Sequence, residues 1–277
     1  MPRIYHTEAI VLSRFELGEA DRVLTLLTPQ DGKIKAIAKG VRRQRSRLGG
    51  AVEPFAELYL VLARARTFDV ITSASVSHAW LSLRERLEST ATAWYLAELA
   101  ERAVEERAFA YPVYALLKRA YQLLDDGMAP SRVARWFEFG LADALGMRPE
   151  VERCVECDRV LEADEEFRWV PTLGGTLCGR HARPPAEGGP LSLAALKLLR
   201  AYRRLDIEAI AGLRIPVAVE TEVEQALRTF IRTVLERDAR SLAFLDEVRD
   251  YRPPVGVMRE PAPAAEAVAA SEGLPSA

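Results

Sequence analysis

RVLTLLTPQDGKIKAIAK, residues 22–39, decides how the first part of this chain folds. Two apolar-rich runs flank Gln30-Asp31-Gly32, whose composition favours a tight turn, and the run after the turn alternates apart from Ile37. Alternation places successive side chains on opposite faces of a strand, so Ile34, Ala36 and Ala38 point one way and Lys33, Lys35, Ile37 and Lys39 the other. The segment therefore predicts a β-hairpin with one face in a core and lysines on the other.

Working outward, YHTEAIVLSRFEL before it reads as a strand ending near Gly18, and AELYLVLA and FDVITSASV after it supply two more. Five short strands in about seventy residues, followed by helices, suit a small closed barrel of the OB type, with an SH3-like barrel as the nearest rival. After Ser77 the period changes: WLSLRERLESTATAWYLAELAERAVEE, YPVYALLKRAYQLLDDG and PSRVARWFEFGLADALGM place apolar residues at three- and four-residue spacing. The rhythm breaks over 149–190 and resumes in LSLAALKLLRAYRRL and TEVEQALRTFIRTVLER, so the break reads as an insertion into a helical domain. From Tyr251 onward the chain is Pro- and Ala-rich, and a disordered tail is expected. The predicted class is α+β: an OB-fold nucleic-acid-binding domain over 1–79, a helical domain over 80–250 with a zinc knuckle inserted at 149–190, and a tail over 251–277.

Charge supports this division. The chain is nearly neutral, with 38 basic and 40 acidic side chains, yet residues 1–81 hold twelve basic and eight acidic ones. The concentration peaks at KIKAIAKGVRRQRSR, residues 33–47, with seven cations in fifteen positions and no acid. A lysine row on a strand, continuing past Gly40 into Arg42, Arg43, Arg45 and Arg47 on a segment bounded by Gly49-Gly50, offers a track for a phosphate backbone. Phe15, Tyr59 and Phe68 fit core positions as well as stacking platforms, so backbone contact should dominate and sequence preference should be slight. A second stripe, Lys197, Arg200 and Arg204, recurs on one helix face and reads as an ordinary solvent face.

The insertion holds all three cysteines: Cys154-x2-Cys157, then Cys178-x2-His181. Zinc takes a tetrahedron of thiolates and imidazoles, and two-residue gaps let each pair grip one side of the ion. Four protein ligands leave no open position, so the expected zinc is structural, one per chain.

Enzyme classes are poorly supported. The sequence has neither a GxxxxGK[ST] loop nor a GxGxxG motif. His6 and His78 lack an obvious nucleophile partner, and the acidic runs at 162–166 and Glu105-Glu106 read as solvated surface rather than metal-holding carboxylates. No stretch approaches eighteen uninterrupted apolar residues and the N-terminus lacks the pattern of a signal peptide, so a cytoplasmic location is expected. Two other readings use the same parts: an RNA-binding OB module with structural zinc, and a protein-interaction adaptor whose barrel meets an acidic partner. A zinc hydrolase is the remote third.

The order of parts has a precedent. Gly18-Glu19-x-Asp21-Arg22, then T-x-x-x-G at Thr28 to Gly32, A-K-G at Ala38 to Gly40, a basic loop, a helical body and an inserted knuckle resemble the bacterial recombination mediator family RecO over about residues 3–250. Relatives that carry zinc often use four cysteines, where this chain has His181 last. The resemblance implies a non-enzymatic DNA repair factor that binds single- and double-stranded DNA and anneals complementary strands. It also implies partners: RecR, the acidic C-terminal tail of single-strand-binding protein (SSB), and, indirectly, the RecA recombinase loaded onto coated strands in the nucleoid. By the same likeness the DNA role falls on Lys35, Lys39, Arg42 and Arg43, and Lys118, Arg119, Arg132 and Arg135 are candidates for the acidic tail.

Overall fold

Thr28 and Gly32 set the turn of the central hairpin. The Thr28 hydroxyl donates to the Gly32 carbonyl at 3.0 Å and accepts from the Asp31 N–H at 3.1 Å. Gly32 has a φ of 55°, and a Cβ there would collide with the Ala108 carbonyl oxygen. The spacing of Thr and Gly thus serves two ends: it closes the turn, and it lets the segment 104–110 approach the barrel. Backbone bonds seal that approach, from Lys33 N–H to Glu105 and from Arg107 N–H to Lys33, both at 3.3 Å.

The computed structural model describes residues 3–43, 46, 48–49, 52–182, 188–236 and 239–251. Arg45, Arg47 and the expected tail beyond Tyr251 lie outside the described residues. Five strands, β1 (Ile4–Leu17), β2 (Asp21–Thr28), β3 (Gly32–Ala38), β4 (Ala56–Ala63) and β5 (Asp69–Ala79), close a barrel in the order β1-β2-β3-β5-β4. β4 pairs back onto β1, and β3 meets β5 in parallel at Ala36–Asp69 and Ile37–Val70. This five-stranded closure with a crossover after β3 is OB-like, not SH3-like.

The register contains one consequential irregularity. Val11 pairs with Leu26 and Ser13 with Thr25, so Leu12 is an extra residue on β1. A bulge of this kind reverses the facing of everything beyond it. Ala9 and Val11 fill the barrel with Leu24, Leu26, Ile34 and Ala36, whereas Leu12 joins the core shared with the helices.

That second core is continuous. It runs from the barrel's outer underside at Ile10, Leu12, Leu27 and Phe55, through the helices, to Phe167, Trp169 and Cys178 in the insertion. The helices are α1 (Leu81–Glu85), α2 (Leu87–Ala103), α3 (Tyr111–Asp125), α4 (Pro130–Ala144), α5 (Leu193–Arg204), α6 (Ile207–Ala211), α7 (Val217–Leu235) and α8 (Ser241–Asp250). Where periodicity predicts one helix from Trp80 to Glu106, the chain breaks at Arg86, which is extended. Its guanidinium turns to the carbonyls of Leu124 and Asp125 at the end of α3, satisfying acceptors a helix terminus leaves open. The insertion adds β6 (Phe167–Val170), β7 (Gly175–Leu177) and β8 (Gly189–Leu191) in the order β7-β6-β8, anchored to α7 by a 2.9 Å bond from Trp169 Nε1 to the Ala226 carbonyl. Among the described residues, no helix is long and apolar enough to cross a membrane.

Candidate nucleic-acid interface and metal centre

β3 has the two faces its alternation predicts: Ile34, Ala36 and Ala38 are buried and Lys35 is exposed. The cations on its outward face are nevertheless not equivalent. Lys33, nearest the helices, donates through Nζ to the Glu101 carbonyl of α2 at 2.6 Å. Lys35 stands 3.8 Å from Glu106, with both partners largely in solvent. Arg42 lies 2.8 Å from Glu16 and Arg43 and Lys39 are exposed, with no ion pair among the described residues. The row thus runs from a lysine held by the helical body to cations open to solvent.

Magnitude separates these cases. Exposed pairs such as Lys35–Glu106 and Arg42–Glu16 contribute about 0–1 kcal/mol, so a phosphate oxygen can displace the carboxylate at little cost. Lys33 is different because it satisfies a partly buried backbone carbonyl. It is placed to join the two parts of the molecule more than to meet a ligand.

The glycine motifs that flank the row position it. Gly18 and Gly40 have φ near 62° and 63°, the left-handed region that glycine adopts without strain. The Asp21 carboxylate accepts the Gly40 N–H at 2.7 Å, and Arg42 N–H donates to the Ala20 carbonyl at 3.0 Å. The G-E-x-D-R and A-K-G segments therefore touch, and Asp21 holds the start of the arginine arm against the end of β3. Arg22 reaches Glu53 at 3.2 Å and Glu16 at 3.8 Å.

Phe15 and Tyr59, which composition allows in a core, lie on the outside, 48 % and 46 % exposed. Phe68 packs edge-on against Phe15 with ring centroids 6.5 Å apart. Plain alternation would put Phe15 on the Ala9 and Val11 side, inside the barrel. The Leu12 bulge turns it out, and no local residue type announces that.

Cys154, Cys157, Cys178 and His181 converge, one ligand atom from each lying within 4.8 Å of all the others. Cys157 and Cys178 sulfurs are 3.9 Å apart, and His181 Nδ1 is 3.6 Å from Cys154 Sγ and 3.5 Å from Cys178 Sγ. Metal–sulfur bonds of about 2.3 Å at tetrahedral angles place sulfurs roughly 3.8 Å apart, so these separations suit one tetrahedral metal ion. Each pair sits on a tight turn: Asp158, with φ 57°, donates its N–H to the Cys154 carbonyl, and His181 and Ala182 donate theirs to the Cys178 carbonyl, all at 2.8 Å.

Electrostatics favour the thiolate at Cys178 and Cys154, while bonds to those two sulfurs raise the His181 pKa and the neighbouring sulfurs raise that of Cys157. Burial works to raise the Cys178 thiol, yet hydrogen bonds from Arg159 and from the His181 and Arg180 N–H groups override it and bring its pKa to about 6. Burial likewise opposes ionisation of Cys154, but N–H groups of Cys178, Cys157 and Glu156 outweigh it and lower its pKa. Thiolates, not thiols, bind metal. Glu165 steadies the shell by pairing with Arg159 and accepting the Gly179 N–H at 3.0 Å.

The second basic stripe is a solvent face at Lys197 and Arg204 but not at Arg200. Arg200 donates to the carbonyls of Val151 at 2.8 Å and Leu161 at 3.2 Å and so binds the insertion to α5, while the exposed Arg204 reaches Glu152 at 2.6 Å. Only Lys197 of that stripe is exposed without such a partner among the described residues. The candidates for an acidic tail divide in the same way. Arg135 is buried against Glu138 at 2.7 Å, and Arg132 donates to the carbonyls of Ile210 and Leu213 at 3.1 and 3.0 Å, while Lys118 and Arg119 are exposed at their pairs with Glu57 and Glu208.

Comparison with known proteins matches the same two parts. Residues 1–80 match the family model "Recombination protein O N terminal" and 84–243 match "Recombination protein O C terminal". The chain is 41 % identical over 247 residues to the DNA repair protein RecO of Roseiflexus sp. (strain RS-1), covering 89 % of this chain and 87 % of that one. It is 34 % identical over 248 residues to the protein of the same name from Dehalococcoides mccartyi (strain CBDB1), covering 90 % and 97 %. The corresponding Anaeromyxobacter sp. (strain Fw109-5) protein is 38 % identical over 247 residues, covering 86 % and 94 %. With both family models matched in order along one OB-like barrel and one helical body, the chain belongs to the RecO family of DNA repair proteins.

Proposed function

We propose that this chain is a non-enzymatic recombination mediator that binds single- and double-stranded DNA through the outer face of its barrel and anneals complementary strands. The observation that carries the reading is the exposed pair Lys39 and Arg43, free of ion pairs among the described residues, at the end of a cationic strand on an OB-like barrel. Phosphates bind such cations by releasing counterions, independent of sequence. Lys35 and Arg42 extend the track, since their exposed carboxylate partners are easily exchanged. Arg45 and Arg47 belong to the same proposed site. Screening two backbones while leaving bases free to pair is what annealing requires.

In this role the chain acts with RecR and with the acidic tail of SSB to load RecA onto coated strands. An acidic tail would meet Lys118 and Arg119, not the buried Arg135. Zinc is the ion proposed for the cysteine cluster: three thiolates and one imidazole are its preferred donors, and the filled ligand set supports a structural rather than catalytic ion. Elemental analysis of protein purified without added metal should give close to one zinc per chain.

The deciding experiment is annealing of complementary strands, bare and coated with SSB. Acceleration in both settings is expected. No acceleration of bare strands, together with no shift of bare DNA at low salt, would refute the DNA-binding reading in favour of a protein adaptor.

A further inference from the structure

The Leu12 bulge has a chemical outcome on the barrel surface. Beyond it, Phe15 pairs with Val23, Val23 with Ile37, and Ile37 with Val70, so four apolar residues form one row across β1, β2, β3 and β5. The row faces outward, because its neighbours Leu24, Ala36 and Ile71 fill the barrel. Val23 is 0 % exposed even so, and Phe15, 48 % exposed, lies at the row's edge in contact with Phe68. Lys35 and Lys39 flank Ile37 along β3, each about 7 Å away.

We infer that the Phe15–Phe68 pair is a stacking platform for unpaired bases of single-stranded DNA whose phosphates run along Lys35, Lys39 and Arg43. This rests on the DNA-binding reading above and adds a preference for unpaired strand at one end of the track. Three features support it. A bulge spends an unpaired backbone residue to aim a side chain, and the side chain aimed here is an aromatic ring at the surface. The floor beneath is the outer face of the barrel sheet, which leaves a ring face open to a base, whereas an apolar peptide anchor needs a pocket. The flanking charge is cationic on the strand that crosses the row, complementary to a backbone carrying those bases. Because the platform is shallow, a base can leave it to pair, which keeps stacking compatible with annealing.

The test measures binding of the full chain to an oligothymidylate, to an abasic strand of equal length and to a duplex, at one salt concentration. Phe15→Ala should weaken oligothymidylate binding about 5- to 100-fold, the range for loss of one base–aromatic stack, and move the other two by less than about twofold. Phe15→Tyr, which keeps the ring, should restore oligothymidylate binding, and it separates loss of stacking from loss of the cover over Val23. An equal loss on all three ligands, or no loss on any, would overturn the platform. So would an unchanged DNA profile accompanied by weaker binding of an acidic peptide, which would make the patch a protein-docking surface. If the unaltered protein binds none of the three, the DNA-binding reading itself fails, an outcome distinct from failure of the platform.

Discussion

On β3 and on α5 the chain carries two basic rows that look alike in sequence and that the fold surrounds differently. Lys39 and Arg43 end the first row in solvent, without ion pairs among the described residues. Arg200 and Arg204 of the second are bound to Val151, Leu161 and Glu152, which lie at the start of the cysteine insertion. The difference lies in what faces the cations. The insertion returns carboxylates and free carbonyls to α5, and the helical body reaches only the lower end of β3, through Glu101 and Glu106. A basic row stays open to a ligand where the rest of the fold leaves it alone, and becomes a fastener where the fold comes back to it.

The largest effect should come from the centre that the α5 row fastens. Structural zinc contributes on the order of 10 kcal/mol of apparent binding free energy, so Cys178→Ser or exhaustive chelation should unfold the insertion, seen as loss of protection of its amides in hydrogen exchange. Retained protection in metal-free protein would contradict a structural role. Next, reversing Arg42, Arg43 and Arg45 to Glu should abolish DNA binding in gel shifts while leaving far-ultraviolet circular dichroism unchanged. Undiminished binding by that folded variant would place the DNA site elsewhere.

Single substitutions test the contrast more finely. If about five phosphates are neutralised, affinity for DNA should fall two to three decades between 50 and 200 mM salt, and Lys39→Ala should lower the slope by roughly one while changing stability by less than about 0.5 kcal/mol. Arg200→Ala should do the reverse, costing about 1–3 kcal/mol in denaturant titration by stranding two carbonyls, with DNA affinity unaltered. A match between the two variants in either assay would erase the distinction between the rows.

The smallest expected effect is a pH signature inside the barrel. Asp69 is fully buried, and hydrogen bonds from Tyr5, the Ala65 N–H and Arg107 overcome the opposing influence of burial to hold its carboxyl below the ordinary range. A depressed folded pKa means that the stabilisation is complete at neutral pH and is lost as pH falls below about 4 and through the folded value. The melting-temperature gap between the native chain and Asp69→Asn should therefore narrow on acidification. A gap that widens in acid would reverse the assigned sign.

Local pattern carried much of this. The alternation of KIKAIAK matches the buried and exposed positions of β3, and two Cys/His pairs at matched spacing identify four donor residues that meet in space. Periodicity located α2 to α5 and α7 but neither α6 nor α8, and not the break at Arg86, because that break is stabilised by the end of α3, nearly forty residues away.

By itself, then, the amino-acid order determined the five barrel strands, the longer helices, the clustered Cys and His donors and where cations are dense, since each depends on residues close together along the chain. Tertiary structure alone decided which cations stay free and which way Phe15 points. Those outcomes depend on Glu101, Glu106, Val151 and Leu161 arriving from distant segments, and on a one-residue bulge whose facing is defined only against the neighbouring strand.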